Sequence, residues 1–222
     1  MKPALLILDV AHGRNTPGKQ SPDGLFKEWK WSRDMCLKLI NEFFNDILQK
    51  DYDVMCPYIK TVNEPGLTNR VNAYNALSED YKFTYMLSLH NNAASNESRW
   101  WRSRTGDGSG GMEIWTDKEH NYSDKLAEVF MEKMMKLAPN EVYRHNTPDD
   151  ISKDFDFTVI YGYKKNDGTV VRRKYEACLL ESLFMDNTVD FKKLIDPEWN
   201  REWMKVIGLS AHSVMQYNGY AN

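Results

Sequence analysis

The sequence predicts an α/β protein, a single domain over residues 1–222 built on a mostly parallel, twisted sheet of about six strands flanked by helices. Three observations carry this. Apolar runs of strand length alternate with segments of helical period, the order expected of a layered α/β domain. Several of the runs lack in–out alternation, as strands covered on both faces do. The 222 residues are 41% hydrophobic, enough to bury a core, and the chain is short enough for one domain.

Candidate strands fall at residues 4–10, 53–59, 83–89, 112–115, 158–161 and 176–180. The first helix is marked by Cys36, Leu39, Ile40, Phe43, Phe44 and Ile47, which recur at helical spacing as one apolar stripe. A weaker helix is predicted over 67–77. A third spans 122–137, with Leu126, Val129, Phe130, Met134 and Leu137 on one face, and ends before Pro139. The last helix opens with Asp196 as N-cap and Pro197 at its first position. Asn166, Asp167 and Gly168 form a turn signal between residues 159–163 and 169–175, predicting a hairpin. Residues 95–111 read as a polar, glycine-rich loop carrying Trp100 and Trp101. No internal repeat or interdomain linker is visible, so no separate second domain is expected.

Composition narrows the function classes. A net charge of -3 gives no long-range attraction for nucleic acid, so no nucleic-acid partner is expected. No stretch reaches the roughly 18 apolar residues of a membrane span, so no stable membrane insertion is expected. The N-terminal apolar run ends in polar residues rather than a small-residue cleavage site, and reads as a strand instead of a signal peptide. Cys36, Cys56 and Cys178 are odd in number and dispersed, which fits reduced thiols acting as small hydrophobes.

In an open α/β sheet, ligands gather at the carboxyl ends of the strands, where loops leave the packed scaffold. His12 follows the first apolar run by two residues, His90 directly follows the third, and Glu181 directly follows the last. Glu28 opens the first helix, entered from the loop that leaves His12. Two imidazoles and a carboxylate suit catalytic zinc, because three protein ligands leave a fourth position for a water whose pKa the metal lowers. Glu181, beside that water but not on the metal, is the candidate for moving the proton. Taken singly, each has a plainer role: a capping histidine, a first-turn acid, a carboxylate at a strand end. Asp9 and Asn92 are candidates for orienting these loops, and His120, His145 and His212 read as ordinary surface or packing residues.

The pieces LDVAHG with His12, Glu28 after a short loop, SLHNNAA with His90, GGMEIW and LLESLFMDN with Glu181 resemble the motifs of the amidase-3 type of zinc-dependent N-acetylmuramoyl-L-alanine amidases. Their order matches over nearly the whole chain. The resemblance implies a phosphorylase/hydrolase-like fold, zinc (Zn2+) bound by His12, Glu28 and His90, and Glu181 as the catalytic residue. It further implies peptidoglycan as substrate, cut at the amide between N-acetylmuramic acid and L-alanine. Two departures stand out: Ala11 and Arg14 where the family has glycine around its first histidine, and a closing motif of Glu181, Ser182, Leu183 and Phe184 where the family commonly has glutamate, a small residue, glycine and phenylalanine.

Trp100, Trp101 and Arg102, with Asn92, are candidates for binding the substrate, by stacking on sugar and gripping peptide carboxylates. The rival for the tryptophans is a loop that partly buries them. Two other functions stay open at this stage: a zinc peptidase or small-amide hydrolase acting on a free peptide, and a wall-binding protein without turnover. With no export signal, the expectation is synthesis in the cytoplasm and action at the cell wall after lysis or non-classical release, as in phage lysins. Oligomeric state is not legible.

Overall fold

The structure is a computed structural model, and it describes every residue except 47–49, 95–98, 103–109, 148–149 and 222. Its framework is a six-stranded sheet. In chain order the strands are β1 (Lys2–Val10), β2 (Tyr52–Met55), β3 (Tyr81–Asn92), β4 (Glu113–Thr116), β5 (Lys153–Asp154) and, after a separate hairpin of β6 (Gly162–Lys164) and β7 (Val170–Arg172), β8 (Glu176–Phe184). The spatial order is β2-β1-β3-β8-β4-β5. Every pairing is parallel except β4 with β8, so the sheet is mostly parallel as predicted.

Helices cover both faces: α1 (Glu28–Lys38), α2 (Leu67–Ser78), α3 (Tyr122–Leu137), α4 (Thr158–Tyr161), α5 (Thr188–Leu194) and α6 (Pro197–Tyr217). Strand β1 shows why its sequence lacks alternation. Ala4, Leu6, Leu8 and Val10 join the larger core under α1, α3 and α6, whereas Leu5 and Ile7 join a smaller core with Tyr74 and Tyr175 on the opposite face. Both sets are buried, so a polar residue on either face would carry a desolvation cost.

The third helix spans the predicted residues, capped by the Asn121 side chain, which accepts from the Ser123 N–H. Asp196 caps α6 in the same way through the Glu198 N–H. The second helix is one residue longer than predicted. The hairpin exists, with Gly168 at φ 88° in its turn, but its strands are only three residues each.

Two strand predictions are corrected. Residues 158–161 form the single turn α4, and the sixth strand of the sheet is the short β5 instead. Val159 and Ile160 are both buried against the smaller core, which consecutive residues achieve on a helical turn and not on a strand with one covered face. A short apolar run cannot announce that difference. The predicted 53–59 strand closes at Met55, since Pro57 has no N–H for the ladder and the chain turns with the Ile59 N–H on the Cys56 carbonyl.

The first helix opens with Glu28 and continues beyond α1 as a wider π-type segment, Leu39–Phe44. The predicted stripe is buried through Cys36, Leu39 and Phe44, while Ile47 lies outside the described residues. Phe43 in this segment lies against Gly208 of α6, where an added Cβ would stand 2.5 Å from the Phe43 ring. Gly208→Ala is therefore expected to destabilise the fold by about 1–3 kcal/mol through overpacking, read as a lowered urea midpoint.

Candidate active site

Three strands and one helix deliver the site. His12 leaves β1 through a backbone turn with φ 44°, in the left-handed region. That turn is held from α1: the Arg33 guanidinium donates to the carbonyls of His12 (2.9 Å), Ala11 (3.0 Å) and Thr61 (2.8 Å). Ser32 accepts from the Ala11 N–H and donates to the Leu89 carbonyl, joining the ends of β1 and β3. Gly13 follows because the backbone of Glu64 passes so close that any Cβ would stand 1.9 Å from its nitrogen. One glycine thus does here what the sequence resemblance associates with several.

Strand β3 carries a register irregularity between His90 and Asn92. At this bulge the Asn91 N–H is turned out of the ladder and donates to Glu28 Oε1 at 3.1 Å. His90 Nδ1 lies 3.0 Å from the same oxygen. The other oxygen, Glu28 Oε2, lies 3.6 Å from His12 Nε2 and is buried with no hydrogen-bond partner. The two imidazole rings stand edge to face, with centroids 4.9 Å apart. One ligand atom from each of His12, Glu28 and His90 falls within 4.8 Å of the others, a spacing that fits one shared cation.

The electrostatics place His12 and Glu28 in ligand form, whereas at His90 burial is outweighed by the hydrogen bond and charge of Glu28, which raise its pKa, so this ring gives up a proton when it ligates a metal. Burial, reinforced by the nearby His90, pushes the His12 pKa down to about 3 despite Glu28, so its ring is neutral and its lone pair free for a metal. Burial opposes the Glu28 charge, but the hydrogen bond and charge of His90 outweigh it and hold the carboxyl below its usual range. A buried carboxylate oxygen without a donor is costly unless a cation meets it. Glu28 Oε2 is that atom.

Glu181 on β8 is the register partner of His90 on β3. Its Oε2 is buried and unpartnered, and burial, with Glu28 and Glu113 nearby, pushes its carboxyl up to about 8. His12, His90 and Glu181 line a cavity of about 160 Å³, together with Lys19, Glu64 and an apolar wall that includes Leu67, Phe157 and Leu179.

Asp9 and Asn92 bond to neither histidine. Asp9 accepts from Arg70, Tyr74 and Ser88, and Asn92 donates to Glu113 at 3.0 Å. The orienting roles fall instead on Arg33, Ser32 and Glu64. Glu64 Oε2 lies 3.9 Å from His12 Nδ1, while its Oε1 is 2.6 Å from Arg70. Sequence reasoning missed all three, because each works through a backbone carbonyl or a residue distant in the chain.

Trp100, Trp101 and Arg102 do not line this cavity. Trp101 bonds through its backbone to Asp186 and Thr188, and the Trp100 ring packs edge-on against Phe191 at 4.8 Å. Trp100 is thus packed on α5, and Trp101 is pinned to the start of α5 and the segment leading into it from β8. His120, read from sequence as an ordinary surface residue, is exposed and stands near the half-buried Asp124 and Asp154. His212 packs as expected, its Nδ1 2.7 Å from the Tyr52 hydroxyl.

Fold and site together define an α/β protein with a two-histidine, one-glutamate set and a buried glutamate at the carboxyl ends of adjacent parallel strands. The family model for N-acetylmuramoyl-L-alanine amidase matches residues 6–210, and the chain belongs to that family. Comparison with curated protein sequences gives no match. Among solved structures, the chain is similar to the N-acetylmuramoyl-L-alanine amidase from Clostridium difficile 630, with a TM-score of 0.71 at 19% identity over 97% of this chain and 98% of that one. The catalytic domain of CwlV, an amidase from Bacillus (Paenibacillus) polymyxa var. colistinus, gives 0.70 at 18% identity, covering 98% and 99%. The amidase from Mycobacterium smegmatis gives 0.70 at 14% identity, covering 96% and 97%. At these identities the likeness concerns the fold. Among the described residues, no helix is long and apolar enough to cross a membrane.

Proposed function

We propose that this chain hydrolyses the amide between N-acetylmuramic acid and L-alanine in peptidoglycan, with zinc held by His12, Glu28 and His90 and with Glu181 as the proton carrier. The observation that carries the reading is the convergence of those three ligand atoms around an unpartnered Glu28 oxygen, beside Glu181, in a member of an amidase family. Zinc there would supply Lewis acidity toward the amide carbonyl and lower the pKa of water at its open position.

The chain's own residues have distinct tasks. Glu28, bonded to the Asn91 N–H and facing both imidazoles, fixes the spacing of the ligand set. Glu181 accepts a proton from the attacking water and gives it to the nitrogen as the C–N bond breaks, so the amine leaves neutral. In the metal-free protein burial pushes this carboxyl up to about 8, and a cation held by the neighbouring ligand set would draw it back toward the ionised form that accepts the proton. The wall of Leu67, Phe157 and Leu179 limits water around the reacting bond. Trp100, 37% exposed, offers a stacking surface for sugar beyond the cavity.

The experiment is mass analysis of products from purified peptidoglycan. Zinc-loaded protein is expected to release intact stem peptides with a free L-alanine amine, and chelation is expected to abolish release until zinc is restored. Cleavage within the stem peptide would favour a peptidase instead. Binding without any release would favour a wall-binding protein.

A further inference from the structure

We propose that Arg144 recognises a carboxylate on the peptide side of the scissile amide, and so acts as a specificity-determining residue. The inference rests on the reaction proposed above. Strand β8 pairs with β3 through Glu181 and His90, and with β4 through Glu181 and Glu113. Register partners on adjacent strands place their side chains on the same face of a sheet. His90, Glu181 and Glu113 therefore form a row across three strands.

The order of that row gives each end a meaning. The histidine end belongs to the ligand set, so the acyl half of the amide sits there. Glu181, in the middle, must reach the departing nitrogen. Whatever is attached to that nitrogen continues past Glu181 toward Glu113. On a muramoyl peptide, that portion is the stem peptide.

At Glu113 the charges do not balance. Its carboxylate is buried and accepts from Arg144 Nε at 2.6 Å, Lys153 Nζ at 2.6 Å and Asn92 Nδ2 at 3.0 Å. Two cations thus share one anion. Lys153 also lies over the Trp115 ring, at 5.2 Å from its centroid. Arg144 commits only Nε to Glu113, and its two outer nitrogens have no partner among the described residues. The side chain is 24% exposed, and its guanidinium lies 5.5 Å from the centre of the Phe184 ring at the carboxyl end of β8.

Glu113 and Phe184 therefore hold the guanidinium in place at the Glu113 end of the row, beyond the cavity that His12, His90 and Glu181 line, with its outer nitrogens uncommitted among the described residues. A planar fork of N–H donors matches a carboxylate in two-point geometry, and a neutral amide cannot satisfy it equally. If Arg144 served only to neutralise Glu113, a ligand's carboxylate would make no difference to binding.

Calorimetric titration distinguishes these cases without relying on turnover. Zinc-loaded Glu181→Gln protein, used so that the ligand survives, is titrated with N-acetylmuramoyl-L-alanyl-D-glutamate and with the same ligand carrying amides in place of both glutamyl carboxylates. The carboxylate form is expected to bind roughly tenfold more tightly, the scale of one hydrogen bond between charged groups. Adding Arg144→Gln should bring the ratio toward one, and Arg144→Lys should keep part of it. A ratio of one in the parent protein, or an unchanged ratio with Arg144→Gln, overturns the assignment. Should Arg144→Gln fail to fold, the parent ratio and the Arg144→Lys variant decide it. The two readings also fail separately. Wild-type protein that releases no stem peptide while the ratio persists removes the proposed reaction alone, and release with a ratio of one removes the role of Arg144 alone.

Discussion

Glu181→Gln is expected to slow stem-peptide release by roughly 10²–10⁴-fold, the range typical of a lost general acid–base group, while the protein keeps its zinc. Glutamine is nearly isosteric and Glu181 is outside the three-residue cluster, so the ligand set should not change. His90→Ala is the contrast: it removes one of the three proposed ligands, and zinc content and turnover should fall together. Metal analysis beside a rate assay on purified peptidoglycan reads both. Full activity of Glu181→Gln would remove Glu181 from the proton-carrying role. The metal-free protein gives a second readout. The folded-state pKa of Glu181 is raised to about 8, above its unfolded value of about 4.3. Its contribution to stability is therefore present below about 4.3 and is lost as pH rises through about 8. Glu181→Gln should abolish that loss in metal-free protein.

The site was legible because parallel sheets concentrate chemistry at one edge. His90 and Glu181 directly follow apolar runs and His12 comes two residues after one, so the strand pattern alone places them together, and the helix signature places Glu28 beside them. What the sequence hid is the support. Arg33 braces His12 through carbonyl oxygens, which leave no pattern in side-chain types. The bulge that aims the Asn91 N–H at Glu28 depends on the register of β8 against β3, which no local signal encodes. Glu113 was hidden for a related reason. It sits in the quoted GGMEIW segment, but only the antiparallel placement of β4 against β8 sets it beside Glu181. The α4 turn shows the limit on the fold side: FTVIY has the composition of a strand, and tertiary burial of both Val159 and Ile160 decides otherwise.

Arg70→Met is expected to destabilise the fold by about 3–5 kcal/mol, because it strands a buried carboxylate. Asp9 and Arg70 are almost wholly buried side chains, paired at 2.6 Å at the end of β1 immediately before the His12 turn. Burial works against the Asp9 charge, but the guanidinium, with the Ser88 and Tyr74 hydroxyls, outweighs it and holds the carboxyl below its ordinary value. Met preserves much of the volume of the arginine stem and none of its charge. The remaining two hydroxyls cannot offset a desolvated carboxylate, and Glu64 loses its 2.6 Å partner as well. For a chain of this size the change should appear as a fall of roughly 6–20 °C in Tm. Removing both charges with Asp9→Leu and Arg70→Met should recover much of the loss, since an apolar pair needs no compensation. Acid separates the explanations further. The folded pKa of Asp9 is depressed, so its stabilising contribution is present above the unfolded value of about 3.9 and is lost as pH falls through the folded one. The advantage of wild type over the double variant should therefore shrink in acid. An Arg70→Met cost below about 1 kcal/mol at neutral pH, the scale of an exposed ion pair, would show that Asp9 is not left as an uncompensated buried charge.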